Sequence, residues 1–282
     1  MVYIKGFEEY LQAKDKSGNT VSCYVRDTRA FISWYDSRTK AGIGKVIELD
    51  LVEYKKYLQS SGEAVITINR KLAGINSFLK YLKQEDIINK VISIGIIKDK
   101  DKKQFKGLED RQLWKFRNEI HREGNLMHIC IIEMLLQTGI RVSELVNIKL
   151  IDIKISERKG SLQVIGKGNA KRTVPLNKDV RKAVDKYLKV RQDDSSEYLF
   201  IGQRGAIKRN AVNLILEKYA ERLHIKVTPH MIRHTLGYNL VRKQVPITTI
   251  QQILGHESII TTNRYTQTPE DDMVRALEGL EW

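Results

Sequence analysis

Apolar residues recur at helical spacing through the first third of the chain. The clearest stripe places six of them on one face, where they would face a core. Stretches rich in Ser, Gly and Asn interrupt the pattern, as turns do. We therefore predict a compact four-helix unit. Its helices would cover residues 6–14, about 21–35, 50–59 and 67–83, and the stripe of the fourth consists of Ile68, Leu72, Ile75, Phe78, Leu79 and Leu82.

A charged stretch follows this unit. Residues 91–107 include the run Lys-Asp-Lys-Asp-Lys-Lys at 98–103, which lacks large apolar anchors. Such composition is typical of a linker. We predict a helical domain over residues 1–90, a linker over 91–107 and a second domain over 108–282.

The second half returns to helical spacing, with one exception. Residues 151–176 contain three short β-prone pieces around turns at 157–160 and 166–170. The predicted fold class is therefore mainly α with a small antiparallel β-sheet. The predicted helices cover residues 108–123, 127–137, 178–191 and 210–223, and further helices begin near Arg141, Pro229 and Pro246.

Composition narrows the class of partner. The 282 residues carry a net charge of +15, and both halves are basic: residues 1–106 hold 20 Lys and Arg against 13 Asp and Glu. Such charge suits binding to a polyanion, although a merely basic soluble protein would share it. Cys23 and Cys130 lie far apart and form no zinc motif, which fits a reducing compartment. No apolar stretch resembles a signal core or spans a membrane, so a cytoplasmic, nucleoid-associated protein is expected.

The candidate chemistry lies mostly between Thr228 and Thr266. His230 and Arg233 are three residues apart, His256 follows in Leu-Gly-His, and Tyr265 comes nine residues later. Arginine can fork onto phosphate oxygens, histidine can move a proton near neutral pH, and tyrosine can act as a covalent nucleophile.

Two further candidates lie upstream. Arg141 follows a Thr-Gly pair at a helix start, and Glu144 could fix its orientation; the alternative is a surface ion pair between the two. Lys167 lies between glycines at a predicted hairpin tip, where an ordinary exposed turn lysine is the alternative. Lys171 and Arg172 follow closely and could take its role.

In order and spacing, these residues resemble the active-site signature of the tyrosine recombinases, the integrase/Xer family. A lone His-x-x-Arg would mean nothing. Several motifs in one order are strong evidence, because the probabilities of each occurring by chance multiply. The resemblance is specific from about Gly107 onward and loose before it. Its members here are Arg141, Lys167, His230, Arg233, His256 and Tyr265.

The resemblance implies a site-specific recombinase that cleaves and rejoins DNA through a 3′-phosphotyrosyl intermediate, with Tyr265 as nucleophile. No cofactor or metal is expected. The implied roles are phosphate binding by Arg141, Arg233 and His256, protonation of the 5′ oxygen by Lys167, and proton transfer at Tyr265 assisted by His230. His234 is expected to point elsewhere, and His121, His128 and His224 are interpreted as incidental.

The implied partner is double-stranded DNA at a specific site, bound by a homo-tetramer. A partner recombinase or an accessory DNA-bending protein stays open. The tail at 270–282 would dock on a neighbouring subunit, or else pack on its own core. Candidate DNA contacts, each with a solvated surface as the alternative, are Arg26, Arg29, Arg70, Lys71, Lys171 and Arg172.

Two other functions share part of this pattern. A type IB topoisomerase uses the same chemistry but relaxes supercoils without pairing two sites. A non-catalytic helix-turn-helix regulator would explain the charge and the turn after Pro246, but not the joint presence of Arg141, Lys167 and Tyr265. The sequence does not separate resolution, integration and excision.

Overall fold

The computed structural model describes residues 2–98, 107–166, 170–192, 195–255 and 262. It divides into two compact units, Met1–Lys103 and Gln104–Trp282, here called the N-terminal and C-terminal units. Helices dominate both, and small antiparallel sheets occur in the second, which confirms the predicted fold class. Within the described ranges, no helix is both long and apolar enough to cross a membrane.

The N-terminal unit consists of four helices around an aromatic and aliphatic core. The predicted stripe on the fourth helix is at most 2% exposed at each position. Phe7 and Phe31 belong to the same core, with Phe7 packing edge-on against Phe78 at a centroid distance of 5.2 Å. The four helices are α1 (Val2–Ala13), α2 (Gly18–Arg38), α3 (Glu48–Ser60) and α4 (Val65–Gln84).

All four helices of this unit begin before the predicted positions: α1 begins at Val2 rather than at residue 6, and α4 begins at Val65 rather than at residue 67. Ser17 caps α2, accepting from the Thr20 backbone N–H at 3.3 Å, so α2 begins three residues earlier than predicted. Asp50 lies in the first turn of α3 and accepts from the Ile47 N–H at 2.9 Å. An acidic side chain in the first turn can accept from a free backbone N–H at the helix start. The cap residue is therefore Ile47, three positions before the predicted cap Asp50.

The segment after α4, expected as linker, begins as part of the N-terminal unit. Ile92 and Ile94 are buried in its core. The Asn76 side chain accepts from the Ile94 N–H at 2.8 Å and donates to the Ile94 carbonyl at 2.9 Å. Asn69 holds the backbone of Ile97 in the same way. Most of the charged run lies outside the described residues.

The C-terminal unit is built around the apolar helix α6 (Leu126–Thr138), which packs against α8 (Lys178–Leu188) and α10 (Pro229–Arg242). Three of its described helices end at left-handed glycines, which are Gly124, Gly139 and Gly255. Glycine is favoured there because a Cβ destabilises positive φ. The remaining helices are α5 (Asp110–Glu123), α7 (Val142–Leu145), α9 (Arg209–Arg222) and α11 (Ile247–Leu254).

The predicted sheet is antiparallel in the order β1-β2-β3. Leu162, Val164 and Val174 turn inward and are buried. Its strands are β1 (Ile153–Ile155), β2 (Gly160–Ile165) and β3 (Lys171–Pro175). The turn expected at Gly202–Gly205 proves to connect two further two-residue strands, β4 (Ile201–Gly202) and β5 (Gly205–Ala206), too short to show a period.

Candidate active site

Arg141 lies immediately before α7 and contacts two separate parts of the chain. Its backbone N–H donates to Glu144 Oε2 at 2.7 Å, and its Nη1 donates to Glu144 Oε1 at 2.9 Å. Its Nη2 donates to the carbonyl oxygen of Gly255 at 3.0 Å. The Arg141–Glu144 ion pair, predicted as the alternative to a catalytic role, is therefore present. It orients a guanidinium that also contacts the end of α11.

Arg233, on α10, is only 6% exposed. Its guanidinium donates to the carbonyl oxygens of Gly139 and, at 2.5 Å, of Leu254. Arg141 and Arg233 therefore bind the consecutive carbonyls of Gly255 and Leu254. The structure brings the two arginines of the predicted signature into one site.

Two glycines make this convergence possible. Gly139 and Gly255 end α6 and α11 with φ of +62° and +61°. A Cβ on Gly139 would lie 2.7 Å from a methyl carbon of Leu254, and one on Gly255 would lie 2.6 Å from Cζ of Arg172. Both turns therefore need positive φ and the absence of a side chain.

Glu144 joins a third arginine to this cluster. Arg172 Nη1 and Nη2 donate to Glu144 Oε1 and Oε2 at 2.7 and 2.9 Å. Burial raises the pKa of the Glu144 carboxyl, but hydrogen bonds from Arg172 and Arg141 outweigh it, so the pKa is lowered. Glu144 is a carboxylate held by two guanidinium groups. No local pattern indicates the second pairing, because 28 residues separate the partners.

His230 and His234 face each other on α10, contrary to the expectation for His234. Their Nε2 atoms are 2.9 Å apart and their ring centroids 4.2 Å apart. Positions four apart share a helix face, which the sequence interpretation overlooked. His234 is buried, whereas His230 is exposed.

Three predicted catalytic residues, Lys167, His256 and Tyr265, lie outside the described residues. Their neighbours are placed. Gly166 N–H donates to the Ala170 carbonyl at 2.7 Å, on the two sides of residues 167–169. Gly255 precedes His256, and Thr262, three residues before Tyr265, is fully buried.

The predicted DNA contacts in the N-terminal unit fall into two groups. Arg26 and Arg29 on α2 are exposed. Arg70 instead binds the buried carboxylate of Asp27.

The remaining three predicted DNA contacts, Lys71, Lys171 and Arg172, divide in the same way into exposed and paired side chains. Lys71 binds Glu63. In the C-terminal unit Lys171 is exposed, whereas Arg172 has an 18% exposed side chain committed to Glu144. The sequence does not distinguish these two groups, because it shows the charge of each side chain but not its partners.

Two of the other histidines have protein partners. His121 Nε2 lies 2.9 Å from Glu133, and His128 Nδ1 lies 2.8 Å from the hydroxyl of Tyr219. Within the described part of the chain, no three His, Cys, Asp or Glu side chains are grouped to hold a metal ion.

Comparison with protein families shows the family to which the chain belongs. Residues 106–271, which include all six predicted catalytic positions, match the phage integrase family. Residues 4–86 match the N-terminal SAM-like domain of phage integrases. The chain belongs to the phage integrase family. It is a tyrosine-type site-specific DNA recombinase, as its resemblance to the tyrosine recombinases indicated.

Curated relatives agree along nearly the whole chain. The tyrosine recombinase XerC of Oceanobacillus iheyensis is 30% identical, with 98% of this chain and 94% of that protein covered. The tyrosine recombinase XerA of Pyrococcus horikoshii is 27% identical over 98% and 92% of the two chains. Neither the topoisomerase nor the non-catalytic regulator is favoured by these relatives.

Solved structures show the same fold. A XerH recombinase bound to its difH substrate after cleavage has a TM-score of 0.78 at 18% identity, covering 92% of this chain and 79% of that one. The Tn1549 transposon integrase in complex with circular intermediate DNA has a TM-score of 0.76 at 21% identity, covering 99% of both chains.

Proposed function

We propose that this recombinase breaks and rejoins DNA by attack of Tyr265 on the scissile phosphate. The phenol oxygen forms a 3′-phosphotyrosyl bond while the bond to the 5′ oxygen breaks and a 5′-hydroxyl leaves. One phosphodiester is exchanged for another ester, so resealing needs no ATP. The observation that supports this most is the meeting of Arg141 and Arg233 on the adjacent carbonyls of Leu254 and Gly255, directly before His256.

The two arginines supply the positive charge. Each guanidinium already donates to a carbonyl oxygen, so each is oriented before a phosphate arrives. Preorganised donors stabilise the charge that develops on non-bridging oxygens without a reorganisation cost. In this mechanism cationic side chains do the electrostatic work.

Two other side chains, Lys167 and His230, are assigned the proton transfers, and a third, His256, is assigned to phosphate binding. Lys167 protonates the departing 5′ oxygen from the hairpin tip. His230 takes the proton of Tyr265, whose phenol has a reference pKa of about 10 and attacks as an anion. His256 donates a hydrogen bond to the same phosphate.

DNA is the substrate, and we infer that both units contact it. The basic N-terminal unit, residues 1–90 with the packed extension to 98, presents Arg26 and Arg29 to solvent. We propose four protomers on two sites in the synaptic complex, linked by residues 270–282. A partner recombinase or a DNA-bending protein would act on the same assembly. The site of action is the cytoplasm, at the nucleoid.

The nucleophile is tested by covalent trapping. Binding selection from random duplexes first supplies a recognition site, and a suicide substrate built on that site then traps the cleaved state. We expect an adduct with the wild type and none with Tyr265→Phe. The control is Tyr198→Phe, at a tyrosine whose ring lies under Lys149 Nζ at 5.9 Å, and it should form the adduct. An adduct with Tyr265→Phe would overturn the assignment.

Two further measurements separate the alternatives. Relaxation of supercoiled plasmid lacking the selected site would favour the topoisomerase function. Deletion of residues 270–282 should abolish synapsis while leaving single-site binding; unchanged synapsis would reject the exchange of tails between protomers.

A further inference from the structure

Arg172 is one of the predicted DNA contacts, but its side chain is largely buried and bound to another residue of the protein. It lies on β3, paired with Val164 of β2, five residues after Lys167 in the sequence. Its side chain is 18% exposed, and both terminal nitrogens donate to the carboxylate of Glu144, which is 3% exposed. A guanidinium committed in this way to a buried carboxylate is not available to phosphate.

The same carboxylate also holds Arg141. Each oxygen of Glu144 accepts one hydrogen bond from Arg141 and one from Arg172, four in all. With Arg172 present, the trio of Arg141, Glu144 and Arg172 carries one net positive charge. Without Arg172, Glu144 would neutralise Arg141 and draw its guanidinium more strongly.

Arg172 also touches the other end of the site. Its guanidinium covers Gly255 so closely that a Cβ there would lie 2.6 Å from both Cζ and Nε. Gly255 in turn gives its carbonyl to Arg141 at 3.0 Å. Arg172 thus contacts both the carboxylate and the turn that orient Arg141.

We propose that Arg172 is a positioning residue that compensates the charge of Glu144, so that Arg141 keeps its positive charge and its aim for the scissile phosphate. This inference rests on the proposed function. It assigns to Arg172 a part in the cleavage step rather than in DNA affinity.

A double-mutant cycle tests it, using the rate of adduct formation at saturating DNA. Arg172→Gln should lower the rate by about 10²-fold, the usual effect of losing one charge contact at such a site. Adding Glu144→Gln removes the uncompensated buried carboxylate and should recover at least ~10-fold of that loss. A double variant no faster than Arg172→Gln would overturn the proposal.

A second pair of variants covers the case in which Arg172→Gln folds poorly. Arg172→Lys keeps the charge without the fork, and should stay within about 10-fold of the wild type in variants of equal thermal stability. Equal losses for Lys and Gln would contradict charge compensation. The control is Arg181→Gln, which removes an arginine that binds the Leu176 carbonyl at 2.9 Å, away from the site.

Measurement of DNA binding distinguishes a positioning residue from a phosphate contact. Arg172→Gln should leave the dissociation constant and its salt dependence close to those of the wild type. A salt slope reduced by about one unit, with normal cleavage at saturation, would make Arg172 a phosphate contact instead. If the wild type itself forms no adduct, the proposed function fails; if only the Arg172 effects are absent, this inference fails alone.

Discussion

The guanidinium of Arg233 donates a hydrogen bond to the carbonyl oxygen of Gly139, two residues before Arg141. The second arginine of the site thus holds the turn from which the first one projects. Because Arg233 also holds Leu254, it joins the ends of α6 and α11.

Replacing either arginine by lysine should reduce cleavage while retaining charge. Lysine cannot donate in two fixed directions, so Arg141→Lys and Arg233→Lys should each lower the rate of adduct formation by roughly 10²–10³-fold. Arg242→Lys, an exposed change on α10 beside Asp110, is the control and should match the wild type. Normal rates in both site variants would remove the arginines from the mechanism.

Gly139→Ala should destabilise the protein more than Gly124→Ala does. Both glycines end helices at positive φ, and the alanine strain there is about 1–2 kcal/mol. Only Gly139 also lacks room, because a Cβ would overlap the side chains of Leu254 and Leu236, adding about 1–3 kcal/mol. Denaturant unfolding of the two variants measures the difference; equal losses would show that the site relaxes freely.

Arg70 and Arg29 should separate stability from DNA binding. Arg70→Ala leaves the buried carboxylate of Asp27 without its strongest partner, and should lower the free energy of unfolding by about 2–3 kcal/mol. Arg29→Ala should leave stability unchanged within ~0.5 kcal/mol but weaken DNA binding and lower its salt slope. The reverse pattern in unfolding and binding titrations would exchange the two roles.

Glu123 should give the protein acid sensitivity. The hydrogen bond from Lys218 above all, with others from Arg222 and Tyr219, lowers the pKa of the Glu123 carboxyl from 4.5 to about 2. The folded state therefore binds this proton more weakly than the unfolded state. The contribution is present above pH 4.5 and is lost as the pH falls towards 2.

The measurement is unfolding of the wild type and Glu123→Gln across that range. The stability difference between them should shrink as the pH falls, and Lys218→Met should remove most of it. A difference independent of pH would show that the pairing does not persist in solution.

Local signals in the sequence predict the framework of the site. Thr228 and Pro229 mark the start of α10, and Gly139 and Gly255 mark the ends of α6 and α11, because each has a preference set by its own backbone. The pairing of His234 with His230 was equally predictable, since residues four apart lie on the same face of a helix.

Pairings across the chain were not predictable in this way. Arg172 on β3 meets Glu144 on α7 across 28 residues, and Arg70 meets Asp27 across 43 residues. An exposed arginine and a buried one look alike in sequence. Only the packed structure distinguishes a phosphate contact from an internal counter-ion.

The two asparagines that clasp the backbone of Ile94 and Ile97 also bear on how the protein can be dissected. A fragment ending at residue 90, where the helical pattern stops, would lack the core residues Ile92 and Ile94. The side-chain amides of Asn76 and Asn69 would then lose their backbone partners. An isolated N-terminal piece should therefore be cut after residue 98, and proteolysis of the intact chain should spare the bonds before that point.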